Sequence, residues 1–236
     1  MRKYAAEIIG TFLMVFAGTG AIVIDDLTHA VTHVGVAITF GLVVMSLIYA
    51  LGDISGAHFN PAVTLGFFAA RRLSGRLVVP YIACQLVGAL LASLALRAMF
   101  GVRADLGATL PLGPAVQSLA LEAVLTFFLM FVILCVSTGP KEVGVMAGIA
   151  VGGVIGLEAM FAGPICGASM NPARSLAPAA VAGNWTHAWV YVVGPILGSI
   201  VVVPFWRLAR GPCPMMTVEL EPHLKHNLRT GVQGHG

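Results

Sequence analysis

Two identical triplets, Asn60-Pro61-Ala62 and Asn171-Pro172-Ala173, stand 111 positions apart in a chain with few other polar side chains. Asn is a favoured helix N-cap because its side-chain carbonyl accepts a backbone N–H. Pro suits the first helical turn, where its missing N–H would have found no partner anyway. Each triplet therefore predicts a helix start. The small, apolar residues that follow allow helices of about eight or nine residues, rods of roughly 13 Å. Each Asn side chain would then stand at a positive helix end. Arg174 directly follows the second triplet and adds a permanent charge with several donors.

Glu7 and Glu122 occupy matching places in two similar apolar segments, AAEIIGTFLMVFAG and ALEAVLTFFLMFVI, at an offset of 115. A carboxyl in such a segment is expensive, and in a transporter it would read as part of a proton relay. Glu158 lies in another apolar run with no acidic counterpart in the other half. It would face a pore or meet a polar group at a helix junction. Asp53 and His58 flank the first triplet on its N-terminal side. Cys84, Cys135, Cys166 and Cys213 are scattered, with no CxxC or Cys/His metal spacing, and no acid/base pair points to catalysis. No metal, cofactor or enzymatic activity is expected.

These residues sit in a chain of 236 residues, 58% hydrophobic and 10% charged, with a mean hydropathy of +0.93. That is too little polar surface to cover a water-facing fold of this size, so the chain is expected in a bilayer. Apolar runs at about 4–24, 34–52, 78–100, 116–137, 143–162 and 187–208 are each long enough to cross as helices. The two segments that hold the triplets are too short and too rich in Gly and Pro to cross. Three crossings per half make the second half inverted relative to the first, so the loops enter from opposite faces and their helix N-termini meet near the midplane. Nonhelical backbone at that depth is tolerable only where protein buries it or water wets it, which predicts a water-filled path.

Ten basic residues, Arg2, Lys3, Arg71, Arg72, Arg76, Lys141, Arg207, Arg210, Lys225 and Arg229, fall on one side of the expected spans. Only Arg97 and Arg103 fall near the other. The positive-inside bias places both termini in the cytoplasm of a multi-pass protein of the plasma or inner membrane. Residues 1–210 form the expected membrane domain, in halves of about 1–110 and 111–210, with 211–236 a polar cytoplasmic tail. The basic residues form no stripe, so nucleic acid is not an expected partner.

The segments AEIIGTF, SGAHFNPAVT, SMNPARS, YIACQLVGA and VYVVGPILG together resemble the aquaporin, or major intrinsic protein, family over about residues 1–210. FAGPICGASMNPARSLAPA and ISGAHFNPAV are more similar to the nodulin-like, aquaglyceroporin-like members of plants and their bacterial relatives. The resemblance implies an all-α membrane fold of six transmembrane helices and two re-entrant half-helices in an inverted repeat, assembled as a homotetramer. It implies passive passage of water and small uncharged solutes such as glycerol, urea or neutral metalloid hydroxides, with protons and ions excluded. It maps a narrow filter onto Phe40, Ala159, Ala168 and Arg174. Ala159 stands where strict water channels have His, so the ring should be wider and less polar. Ser175, Ala179 and Tyr191, in contrast, resemble the water-channel side of the family. The resemblance also makes Glu7 and Glu122 loop-supporting carboxylates and His58 a pore-lining residue. The alternative function is a proton- or ion-coupled secondary transporter that uses Glu7, Glu122 and Glu158.

Overall fold

The computed structural model describes residues 1–138 and 144–210. Lys141, Cys213, Lys225, Arg229 and the tail 211–236, with the expectations attached to them, lie outside the described residues. Among the described residues six helices are long and apolar enough to cross a membrane. They are α1 (Arg2–Thr28), α2 (Thr32–Ser55), α4 (Gly75–Phe100), α5 (Ala115–Ser137), α6 (Ala147–Cys166) and α8 (Val190–Arg210). Two short helices, α3 (Pro61–Ala69) and α7 (Pro172–Ala182), begin at the triplets. The second has 11 residues, longer than the eight or nine expected, because Pro178 is accommodated inside it and Gly183 ends it.

Helix α6 also runs past the expected end at 162, through Pro164 to Cys166. Proline cannot donate to the carbonyl four residues back, which here belongs to Met160. His33 Nε2 lies 2.8 Å from that carbonyl oxygen and satisfies it from α2.

The helices pair in a mirrored way, α1 on α4 and α5 on α8, while α2 meets α6 across the centre. Bare glycine backbone makes the close crossings possible. A Cβ on Gly88 would lie 2.4 Å from the Ile8 carbonyl oxygen, and one on Gly198 would lie 2.2 Å from that of Ala123. Gly41 and Gly152 touch each other's backbone in the same manner. Leu90, Leu91, Val124, Phe128 and Phe205 stand exposed on the outside, as helices solvated by lipid tails require.

The two loops that lead into α3 and α7 have the same backbone. Gly56 (φ 85) and Gly167 (φ 83) end the preceding helices in the left-handed region, which costs a glycine little. Ala57 and Phe59 then share positive φ (50 and 49) with their counterparts Ala168 and Met170 (40 and 53). Four non-glycine residues in that region store backbone strain, which persists only if the surroundings over-determine it.

Candidate functional site

The Glu7 and Glu122 side chains supply that determination, and both are fully buried. Glu7 Oε1 accepts from the Ser55 hydroxyl (2.7 Å) and the His58 N–H (3.0 Å). Its Oε2 accepts from the Phe59 N–H and from Gln85 Nε2, both at 2.8 Å. Glu122 accepts the N–H groups of Ser169 and Met170, one on each oxygen, both at 2.8 Å. A buried N–H that loses its acceptor is costly, so each carboxyl clamps the strained stretch of its own loop.

Clamped in this way, the loops bring Asn60 and Asn171 together. Asn60 Oδ1 accepts from the Ala62 N–H (2.8 Å), and Asn171 Oδ1 accepts from the Ala173 and Arg174 N–H groups (3.0 and 3.3 Å). Pro61 and Pro172 fill the first helical position after each. The amides cross over. Asn60 Nδ2 donates to the Met170 carbonyl (2.7 Å) and Asn171 Nδ2 donates to the Phe59 carbonyl (2.9 Å). Each amide has a second N–H, and both Asn residues line the central cavity. The positive ends of α3 and α7 therefore face one another at this spot.

A cavity of about 50 Å³ passes these residues, between Met14, Val63, Leu129 and Ile133. At one end it adjoins a cavity of about 250 Å³ bounded in part by Asp25, His33 and Thr109. At the other it adjoins one of about 650 Å³, which includes Asp53 and Arg72 among the described residues around it. Phe40, Ala159, Ala168 and Arg174 are the four residues shared by the central and the 250 Å³ cavities. Ile48 and His58 are the two shared at the opposite junction. The three cavities together have the outline of an hourglass, a small middle between two larger ends.

Arg174 is held from two directions. Its Nη1 donates to the Gly107 carbonyl (2.7 Å), and its guanidinium lies 5.1 Å from the Phe40 ring centroid. Gly107 belongs to a 3₁₀ turn, Ala104–Gly107, whose backbone presses so closely on Thr19 that a Cβ would lie 2.8 Å away. Thr109, just beyond it, donates its hydroxyl to Ser175 (2.7 Å). Neither residue was singled out from the sequence, because the stretch GVRADLGATLPLGP carries no spacing signal. Gln85 was also missed as a functional residue. Its signal was available: an amide in an apolar span, one turn after Tyr81, whose hydroxyl donates to the Ser55 carbonyl (2.9 Å).

His58 borders the central cavity, with Nδ1 3.0 Å from the Thr64 hydroxyl. That hydroxyl donates to the Asn60 carbonyl, so the network assigns the ring proton to Nδ1. Cys166 is fully buried, its thiol donating to the Ala162 carbonyl. Glu158, for which two surroundings were left open, borders none of the three cavities. It is fully buried, and neither carboxyl oxygen meets a hydrogen-bond partner among the described residues.

Six spans packed around two abutting half-helices, with a narrow cavity between two wider ones, define a membrane channel. The family described as Major intrinsic protein matches residues 1–205. Aquaporin NIP1-1 of Oryza sativa subsp. japonica is 52% identical over 202 residues, covering 85% of this chain and 71% of that protein. Probable aquaporin NIP4-2 of Arabidopsis thaliana is 50% identical over 222 residues, covering 92% and 78%. The X-ray structure of the aquaglyceroporin from Plasmodium falciparum shares the fold, with a TM-score of 0.74 at 23% identity, over 87% of this chain and 94% of that one. The chain belongs to the major intrinsic protein family, and its similar relatives include plant nodulin 26-like aquaporins. It is a passive multi-pass membrane channel for water and small neutral solutes, not an enzyme.

Proposed function

We propose that this channel passes glycerol-sized polyols, and with them urea or neutral metalloid hydroxides, as well as water, while it excludes protons and ions. One observation carries the reading. Of the four residues shared by the central and 250 Å³ cavities, two, Ala159 and Ala168, offer only a methyl group. Arg174 supplies donors and a repelling charge on one side of this aperture, and Phe40 supplies an apolar wall that suits the carbon backbone of a polyol. At the midplane the Asn60 and Asn171 amides donate to the permeating oxygen, and the two positive helix ends disfavour hydronium and other cations. His58 borders the opposite junction, and Glu7 and Glu122 hold the loops. The aquaporin and aquaglyceroporin names of the relatives agree with this range of solutes.

Residues 1–210 act as the channel unit, in halves of about 1–110 and 111–210, with 211–236 a cytoplasmic tail. The excess of Lys and Arg on one side supports cytoplasmic termini in a plasma or inner membrane. Exposed apolar side chains on the outer helix faces are compatible with a homotetramer carrying one pore per subunit. Stopped-flow measurements on proteoliposomes test the solute range. Wild-type vesicles should pass water, glycerol and neutral arsenite in proportion to the gradient and without response to a proton gradient. Ala159→His should lower the glycerol-to-water permeability ratio about tenfold by adding a ring to the aperture. An unchanged ratio would remove Ala159 from the aperture.

A further inference from the structure

The geometry points to Gly18 of α1 as a positioning residue that sets the width of the aperture by giving the Phe40 ring a place to withdraw. This inference rests on the reading of Phe40 as an aperture wall. Gly18 is buried and borders none of the three cavities, whereas Phe40 borders two of them. A Cβ built on Gly18 would lie 2.2, 2.4 and 2.5 Å from Cε1, Cζ and Cδ1 of Phe40. The ring edge therefore occupies the volume that any larger residue at position 18 would fill. Its face is covered on another side by the Arg174 guanidinium.

The ring thus has a backbone notch on one side, a guanidinium over its face, and open space in the two cavities that it borders. Restoring ordinary van der Waals separation from a methyl group at position 18 requires the ring edge to move by about 1 Å or more. In an aperture whose other walls include two alanines, such a shift takes cross-section directly from the solute.

The other half of the molecule shows the alternative arrangement. At the offsets of 115 and 111 that relate the repeats, Gly18 and Phe40 correspond to Ile133 and Val151. Both of those line the central cavity. There, two aliphatic side chains stand at the places that the glycine and the ring take here. At this pair of repeat-related positions the aromatic wall is matched with a glycine in the first half only, and that glycine lets an aromatic wall coexist with passage of a polyol.

Permeability ratios for glycerol and water in proteoliposomes test this with Gly18→Ala, Phe40→Leu and the double variant. Gly18→Ala should lower the glycerol-to-water ratio roughly tenfold, the scale of one overpacked methyl. Phe40→Leu should raise the ratio. In the Phe40→Leu background, Gly18→Ala should change the ratio less than about twofold, because the ring it displaces is gone. If Gly18→Ala alone fails to fold while the double variant inserts and conducts, the clash with Phe40 is established by rescue. Equal losses of water and glycerol flux in Gly18→Ala, or failure of both Gly18→Ala chains to fold, would overturn the inference and make Gly18 a helix-packing residue. An unchanged ratio in Phe40→Leu would instead overturn the reading of Phe40 as an aperture wall.

Discussion

Around the first re-entrant loop, Glu7 accepts from Ser55, His58, Phe59 and Gln85, two of them side chains on other elements. Around the second, Glu122 accepts from the backbone of Ser169 and Met170, and the residues matching Ser55 and Gln85 are Cys166 and Pro195. A thiol is a weak donor and a proline side chain is none. Thr64 and its counterpart Ser175 show where the missing support comes from. Thr64 accepts from Gln85 Nε2 (2.9 Å), while Ser175 accepts from the Thr109 hydroxyl, which belongs to the segment between α4 and α5. The same backbone is thus braced from within the bundle in one half and from a connecting segment in the other. The second loop carries Arg174, and the same segment supplies the Gly107 carbonyl that fixes it. Mirrored backbones can therefore be held by different side chains.

The largest consequence of this difference lies at the carboxylates. Glu7→Ala strands four buried donors and should destabilise the protein by about 4 kcal/mol or more, at roughly 1 kcal/mol per donor. Glu122→Ala strands two and should cost about half as much. Thermal unfolding of the purified protein in detergent would rank them, and equal losses would refute the asymmetry of the bracing.

A smaller effect, of opposite sign in the two halves, is expected at Leu47 and Glu158, which correspond at the offset of 111. Glu158 is a buried acid whose oxygens have no partner among the described residues, whereas Leu47 is an apolar core residue. Glu158→Leu should stabilise by about 1–3 kcal/mol and Leu47→Glu should destabilise by at least as much, read from the same melts. A destabilised Glu158→Leu would show that the carboxyl has a bonding role. The smallest difference concerns the caps. Asn171 accepts two backbone N–H groups and Asn60 one, so Asn171→Ala should cost more than Asn60→Ala by about 1 kcal/mol. The same thermal melts would read the difference, and equal losses would refute it.

Much of this architecture was legible in the sequence. Apolar runs of spanning length, two Asn-Pro starts and paired glutamates fix six crossings and two half-helices, because each follows from local rules on hydropathy and capping. The bracing was not legible. The offset between equivalent residues drifts from 115 at Glu7 and Glu122 to 111 at Asn60 and Asn171, and to 110 at Tyr81 and Tyr191, so the period of either motif misses Pro195, the counterpart of Gln85. Gly107 and Thr109 act through a strained turn with no repeat partner, and the pairing of Gly18 with Phe40 depends on a helix crossing that no spacing specifies. The end of α6 was misplaced because proline reads locally as a stop. A histidine on another helix had already taken up the carbonyl that Pro164 leaves free.

The contact of Gly41 with Gly152 has a mechanical consequence. Carriers built from mirrored repeats move substrate by rocking one half against the other, and rocking needs a joint with slack. Here the main chains of the two halves touch at Gly41 and Gly152, with the Met45 side chain beside them, which leaves little slack at that crossing. A duplicated plan joined so tightly there suits a fixed conduit better than a rocking carrier.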